Sequence, residues 1–211
     1  QRARGNKRRG SRAMREAGEN VGEIWTAAWS LGLEWTDQWT GYHGIGVYNL
    51  IHAWELDQVI AEATRQDIYL NIVVHNHGKF STYWDPEWSL NPFNKVNGGY
   101  LSQPEEYFSN PRARDSFRAL MRYMIARWSY SDHVLSWQFW SELDLTGTRS
   151  DMRGHRLPEV VAWHREMGRD VKAMDPSAHL ITTHTCHDYT QQNPEIISLP
   201  EIDYCAGDAY A

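Results

Sequence analysis

Trp137-Gln138-Phe139-Trp140-Ser141-Glu142 is the stretch that decides how this chain is read. Three rings within four residues, following Val134-Leu135, suit a short buried strand. Glu142 is the carboxylate delivered at its end. Upstream, Phe117, Leu120, Met121, Met124, Ile125 and Trp128 recur at helical three–four spacing, behind an Asn110-Pro111 cap. Downstream come a polar loop and a helix opened by Pro158. It carries Val160, His164, Met167, Val171 and Met174 on one face and is ended by Asp175-Pro176.

The same unit recurs along the chain. Strands are expected at residues 21–25, 68–74, 134–139, 180–183 and 202–205. Asn49 caps a further helix running to about Arg65, with Leu56, Val59, Ile60 and Ala63 on its apolar face. Residues 9–17 read as the tail of an earlier helix. Helix-to-strand turns are short (66–67, 129–133, 175–179), whereas strand-to-helix loops are long (26–48, 75–110, 140–157). Long loops in a compact domain usually carry function. When all of them fall on one edge, the pattern is that of a (β/α)8 barrel with its site at the strand C-termini. A doubly wound open sheet is the competing reading, but it would carry a glycine-rich turn after a strand, and none is present. A barrel needs eight strands and about 250 residues. Five strands in 211 residues, opening inside a helix, predict an incomplete (β/α)8 TIM barrel. It comprises about strands two to six as one partial domain over residues 1–211.

Composition narrows the class. Hydrophobic residues make up 41% of the chain, enough for a sizeable core, and the net charge of −6 argues against nucleic acid as a general partner. No run of 18 apolar residues exists, so no membrane span is expected, and no secretory leader is visible. The basic run Arg2, Arg4, Lys7, Arg8, Arg9, Arg12 and Arg15 reads as a solvated helix face beside a ragged terminus, or as a basic arm. Cys186 and Cys205 are expected to be free thiols.

Glu142 is the candidate for acid–base chemistry. Paired carboxylates flanking a glycosidic bond are the usual apparatus of glycoside hydrolysis, one of them protonated. Burial beside Phe139 and Trp140 is expected to raise the pKa of Glu142 in that direction. The bland alternative is an exposed or salt-bridged loop glutamate. Eleven tryptophans are many for this length. Trp25, Trp29, Trp35, Trp39, Tyr42, Tyr83, Trp84, Trp88 and Tyr100 gather in or beside the first two long loops. There they suit sugar faces and hydroxyls, or serve only as loop packing. Trp54, Trp128 and Trp163 lie on helices and read as core. His75-Asn76-His77 at the end of one strand, with His184, His187 and Asp208 on the same edge, could instead bind zinc in a metal-dependent hydrolase. No spacing here dictates ligand geometry, so no metal or other cofactor is expected.

At these residues the chain resembles a known family. Glu19-Asn20-Val21, Ile24-Trp25 and Trp29-Ser30-Leu31-Gly32-Leu33-Glu34-Trp35 are similar to the second-strand region of clan A glycoside hydrolases. The closest likeness is to family 5-like cellulases and mannanases. Residues 68–78, ending His75-Asn76-His77-Gly78, resemble the third strand. Ala126-Arg127-Trp128 with residues 137–145 resembles the fourth, where the family writes Trp-x-x-x-Asn-Glu, and residues 203–210 resemble the sixth. The order of the four motifs carries the likeness from about Ser11 onward.

The resemblance implies a retaining enzyme acting on a β-linked glucan or mannan, with Glu142 as general acid/base. The nucleophile would be a glutamate ending a seventh strand beyond Ala211. It further implies that Trp25, Trp35, His75, His77, Trp84, Trp140, Ser141, His184, Asp208 and Tyr210 line the sugar cleft, and that the protein is secreted or periplasmic. Three positions depart from the family: Ser141 replaces its asparagine, Glu23 its second-strand arginine and Asp208 its sixth-strand histidine. Such changes imply altered substrate or a carbohydrate-binding relative without catalysis.

Overall fold

The computed structural model describes residues 10, 12–151, 153–186 and 193–207. Asp208, Tyr210, His187 and the basic residues up to Arg9 lie outside them. Five strands, β1 (Val21–Trp25), β2 (Tyr69–Asn76), β3 (Val134–Ser141), β4 (Leu180–Thr185) and β5 (Tyr204–Gly207), form one all-parallel sheet in chain order. The long connections carry the helices α1 (Leu50–Gln66), α2 (Pro111–Trp128) and α3 (Pro158–Met174). This is part of a (β/α)8 TIM barrel, the architecture expected when each strand is followed by a helix and pairs with the next strand along.

Local chemistry sets the helix ends. The Asn49 side chain accepts from the amides of Ile51 and His52, and Asp67 in the left-handed region closes α1. Asn110 accepts from the Arg112 amide at 2.9 Å, with Pro111 in the first turn of α2. Asp175 ends α3 and takes Trp137 Nε1–H at 2.9 Å, which ties that end to the sheet.

The core lies between the sheet and the helices. Phe139 on β3 meets Phe117 of α2 and Trp163 of α3, all fully buried, with the Phe117–Trp163 rings 4.7 Å apart, while buried Trp137 stacks edge-on with His179. The opposite sheet face, turned away from the helices, is polar. Asn71 Nδ2 donates to Gln138 Oε1 and, at 3.3 Å, to Glu23 Oε2. Ser136 Oγ donates to Asn71 Oδ1 and lies 2.7 Å from the Tyr204 hydroxyl. Alternating side chains on a strand produce this split.

Three expectations need correction. β2, β3 and β4 each run two residues beyond their apolar runs, because His75 and Asn76 still register with Trp140 and Ser141 after the hydrophobic pattern has stopped. The fifth strand begins at Tyr204 rather than Ile202, since Ile202 caps a turn on Leu199. Trp54 is 38% exposed on the outer side of α1 and is not core, whereas Trp128 and Trp163 are fully buried. Arg12 pairs with Glu16 at 2.8 Å on the exposed face of the N-terminal helical residues, and Cys186 and Cys205 form no disulfide. Among the described residues no helix is long and apolar enough to cross a membrane.

Candidate active site

The C-terminal edge of the sheet carries the site. β3 ends at Ser141, and Glu142 then adopts a left-handed backbone (φ 53°, ψ 52°) before the short turn Leu143–Leu145. That conformation is uncommon for a residue with a side chain and clusters at functional positions. It breaks the strand alternation, so Glu142 points where neither sheet face would take it. Its backbone N–H donates to His184 Nδ1 at 3.1 Å, which places the ring proton of His184 on Nε2. Its carboxylate Oε2 lies 2.9 Å from His77 Nδ1, an ion-pair contact with a largely buried ring.

This neighbour reverses one expectation. Contact with the His77 ring holds the Glu142 carboxyl below its ordinary value, against the upward push of burial and with help from His184. Burial drives the His77 ring down, but the Glu142 and Asp85 carboxylates overcome it and the ring sits above its ordinary pKa. The sequence places His77 in the cleft but points only to aromatic neighbours for the Glu142 carboxyl; the His77 contact escapes it because His77 belongs to the 3₁₀ turn His77–Phe80. Strand alternation from His75 does not apply there.

His75 and His77 accordingly part company. His75 is buried among Phe80, Tyr107, Phe117 and Trp140, and its Nε2 lies 2.8 Å from the Tyr107 hydroxyl. Burial drives its pKa well down, so it is a neutral core residue rather than a cleft lining. Trp140 is fully buried in the same aromatic cluster, and Trp35 is buried in a separate small cluster with Ala28 and Tyr42. Neither offers a face to a sugar. Ser141 is fully buried as well, with its hydroxyl unpartnered. Trp25, Trp29, Tyr83 and Trp84 remain accessible. Trp25 is half-buried with its ring centroid 6.1 Å from the exposed Trp29, and half-buried Trp84 meets exposed Tyr83 edge to face. The expected set thus resolves into Glu142, His77 and His184 in contact, Trp25 accessible at the end of β1 and Trp84 accessible on the loop after β2, and His75, Trp35, Trp140 and Ser141 buried. Among the described residues, no three His, Cys, Asp or Glu side chains gather as a metal site would require.

Glu23 is no second carboxylate for Glu142. It shares a register row with Asn71 and Ser136, and Glu142 lies six residues beyond Ser136. At about 3.3 Å per residue that is roughly 20 Å along the strand. Two glutamate side chains do not span that gap.

The long loops are tied together beneath the site. Gly147 N–H donates to Phe80 O at 2.7 Å, and Glu105 Oε1 accepts from the Thr148 amide at 2.7 Å, joining the loops after β2 and β3. Lys79 Nζ donates to Thr26 O at 3.0 Å and joins in the loop after β1. Lys79 and Glu34 are buried ionisable groups that the sequence did not flag. Burial raises Glu34 to about 7, with its carboxylate accepting from Gly46 N–H at 2.6 Å, and lowers Lys79 to about 8.

No family model matches the chain. It is 25% identical over 126 residues to the probable mannan endo-1,4-beta-mannosidase A of Aspergillus flavus, a match covering 60% of this chain and 28% of that protein. The endo-1,4-beta-mannanase from Rhizomucor miehei aligns with TM-score 0.67 at 17% identity, over 98% of this chain and 63% of that one. The Rhizomucor miehei glycoside hydrolase family 5 mannosidase aligns with TM-score 0.61 at 14% identity, over 91% and 48%. The chain therefore spans about a quarter of the length of that curated relative and less than two thirds of either solved structure. These solved structures establish the barrel fold. In fold the chain resembles these mannanase and family 5 mannosidase structures.

Proposed function

We propose that this chain is the acid/base-bearing part of a glycoside hydrolase barrel that cleaves a β-linked mannan by a retaining mechanism. The observation that carries the proposal is Glu142. It ends a barrel strand on the edge where barrels place their chemistry, is turned out of the strand by its backbone, and is held there by His184 and His77. The mannosidase and mannanase relatives supply the substrate class.

Glu142 would protonate the leaving oxygen and later deprotonate water. His184 fixes the backbone from which the carboxyl hangs, and His77 supplies positive charge beside it. Trp25, Trp29 and Trp84 offer flat faces for sugar rings. A retaining mechanism needs a second carboxyl about 5–5.5 Å from the acid, and by family resemblance that group ends a seventh strand. Its negative charge near Glu142 would push the acid's pKa back up, offsetting His77.

Two observations favour a second reading. The depressed pKa of Glu142 and the buried Ser141 in place of an asparagine suit a carbohydrate-binding relative that has lost turnover. The test is hydrolysis of β-1,4-mannan and cellulose by the full-length protein. Release of mannose oligomers with retained anomeric configuration, lost in Glu142→Gln, supports the enzyme. Sugar affinity without turnover in either form supports the binder.

A further inference from the structure

The loop after β2 folds back on itself at a single glycine. A Cβ on Gly78 would stand 2.7 Å from Asp85 O and 3.3 Å from Glu87 Cδ, so only glycine admits this return. The Glu87 amide closes it by donating to Gly78 O at 2.9 Å. At the tip, Asp85 is held at φ 43°, a left-handed conformation uncommon for a residue with a side chain. The result of this strained return is specific: Asp85 Oδ2 accepts from His77 Nε2 at 3.2 Å. The other ring nitrogen of His77 lies 2.9 Å from Glu142.

We propose that Asp85 is a positioning residue that acts through His77, fixing the orientation and charge of that ring and thereby the protonation state of Glu142. The argument is geometric. A neutral imidazole has one N–H and one lone pair. With a carboxylate on each nitrogen, a neutral ring would set its lone pair against an anionic oxygen at one side or the other. The imidazolium carries an N–H on each side: Nε2–H is hydrogen-bonded to Asp85, and Nδ1–H lies in ion-pair contact with Glu142 without hydrogen-bond alignment. The titratable groups facing this trio are few: His184 and the Cys186 thiol stand beside Glu142, while Glu87 lies by Gly78 and Asn76 and exerts its pull on Lys79. The direction of the His77 shift agrees with the geometry. Asp85 leaves 87% of its side chain in water, so screening limits its pull. The inference about protonation rests on the Glu142 assignment above, but the Asp85–His77 pairing does not.

The test follows the His77 ring protons by NMR titration in the full-length protein, assigned by their loss in His77→Gln. Asp85→Asn is expected to lower the His77 pKa by about one unit, the low end for removing an adjacent opposite charge. Asp85→Glu should restore most of it. Gly78→Ala should reproduce the Asp85→Asn shift from the backbone side. If the full-length protein is a hydrolase, the alkaline limb of its kcat/KM profile should move to higher pH in Asp85→Asn. A neutral His77 no longer stabilises the Glu142 carboxylate, and that limb reports loss of the acid's proton. An unchanged His77 titration in Asp85→Asn overturns the proposal whether or not the protein hydrolyses sugars. A shifted titration in a protein without turnover upholds the pairing and defeats the hydrolase reading instead.

Discussion

At Glu142 a single backbone torsion decides what the side chain can do. Had the residue continued the strand, its carboxylate would have entered a sheet face. The left-handed turn brings it to His77 instead. Glu142→Gln keeps shape and hydrogen bonding but cannot donate a proton. Steady-state kinetics on the full-length protein should show a loss of about 10²–10⁴-fold for natural sugars. The loss should be much smaller for activated aryl glycosides, and sugar affinity should be little changed. Equal losses on both substrate types would count against Glu142 as the acid. The ion pair also has a stability signature. Glu142, held below 4.5, contributes stability above that pH and loses it as pH falls through its lowered value. His77, held above 6.5, contributes below that pH and loses it as pH rises through its raised value. Chemical denaturation should therefore show wild type most favoured over His77→Gln between about pH 4.5 and 6.5, with the gap narrowing on both sides. The carboxylate itself was legible, since an aromatic strand announced it. Its environment was not, because Asp85 and His77 are brought to it by a glycine-dependent loop return that no periodicity records.

The helices were read nearly to the residue, because cap chemistry and three–four spacing are local signals. Asn110 and Pro111 open α2 as their types dictate. Asn110→Ala should cost about 1 kcal/mol by removing the acceptor for Arg112 N–H. Phe117→Ala, at the meeting of β3, α2 and α3, should cost about 3–5 kcal/mol. Both are measurable by urea unfolding. The long loops were legible only as long. Their tryptophans divide between surface and core according to tertiary contacts, which is why Trp35 and Trp29, six residues apart, have opposite fates. The same loops bury Glu34, which spacing could not reveal. Its carboxyl is raised to about 7, so the folded state holds a proton that the unfolded chain releases above 4.5. Stability should fall as pH rises from about 4.5 to 7. Glu34→Gln, which still accepts from Gly46 N–H, should flatten that slope in thermal melts recorded across the range.

At the scale of the molecule, the five described strands make an arc rather than a closed barrel, and among the described residues β1 and β5 each pair on one side only. Unpaired edges invite pairing with other chains. Residues 1–211 expressed alone should show concentration-dependent association by light scattering and no turnover of mannan. Turnover by this chain alone would mean that a second carboxylate has been overlooked. The arc was foreseeable from loop lengths, whereas the polar face of the sheet was not, since Glu23, Asn71, Ser136 and Gln138 are isolated polar residues within separate strands and only their pairing reveals one face. Side chains alternate with period two, so a slip of two residues between neighbouring strands would leave every apolar side chain on its proper face. Burial alone barely distinguishes such slips. The chain of hydrogen bonds from Glu23 through Asn71 to Gln138, and through Ser136 to Tyr204, matches at one alignment. It works like the teeth of a rack, turning an otherwise sliding fit into a single stop. The height at which Glu142 finally stands above the sheet is thus set several residues below it, by groups that never meet a substrate.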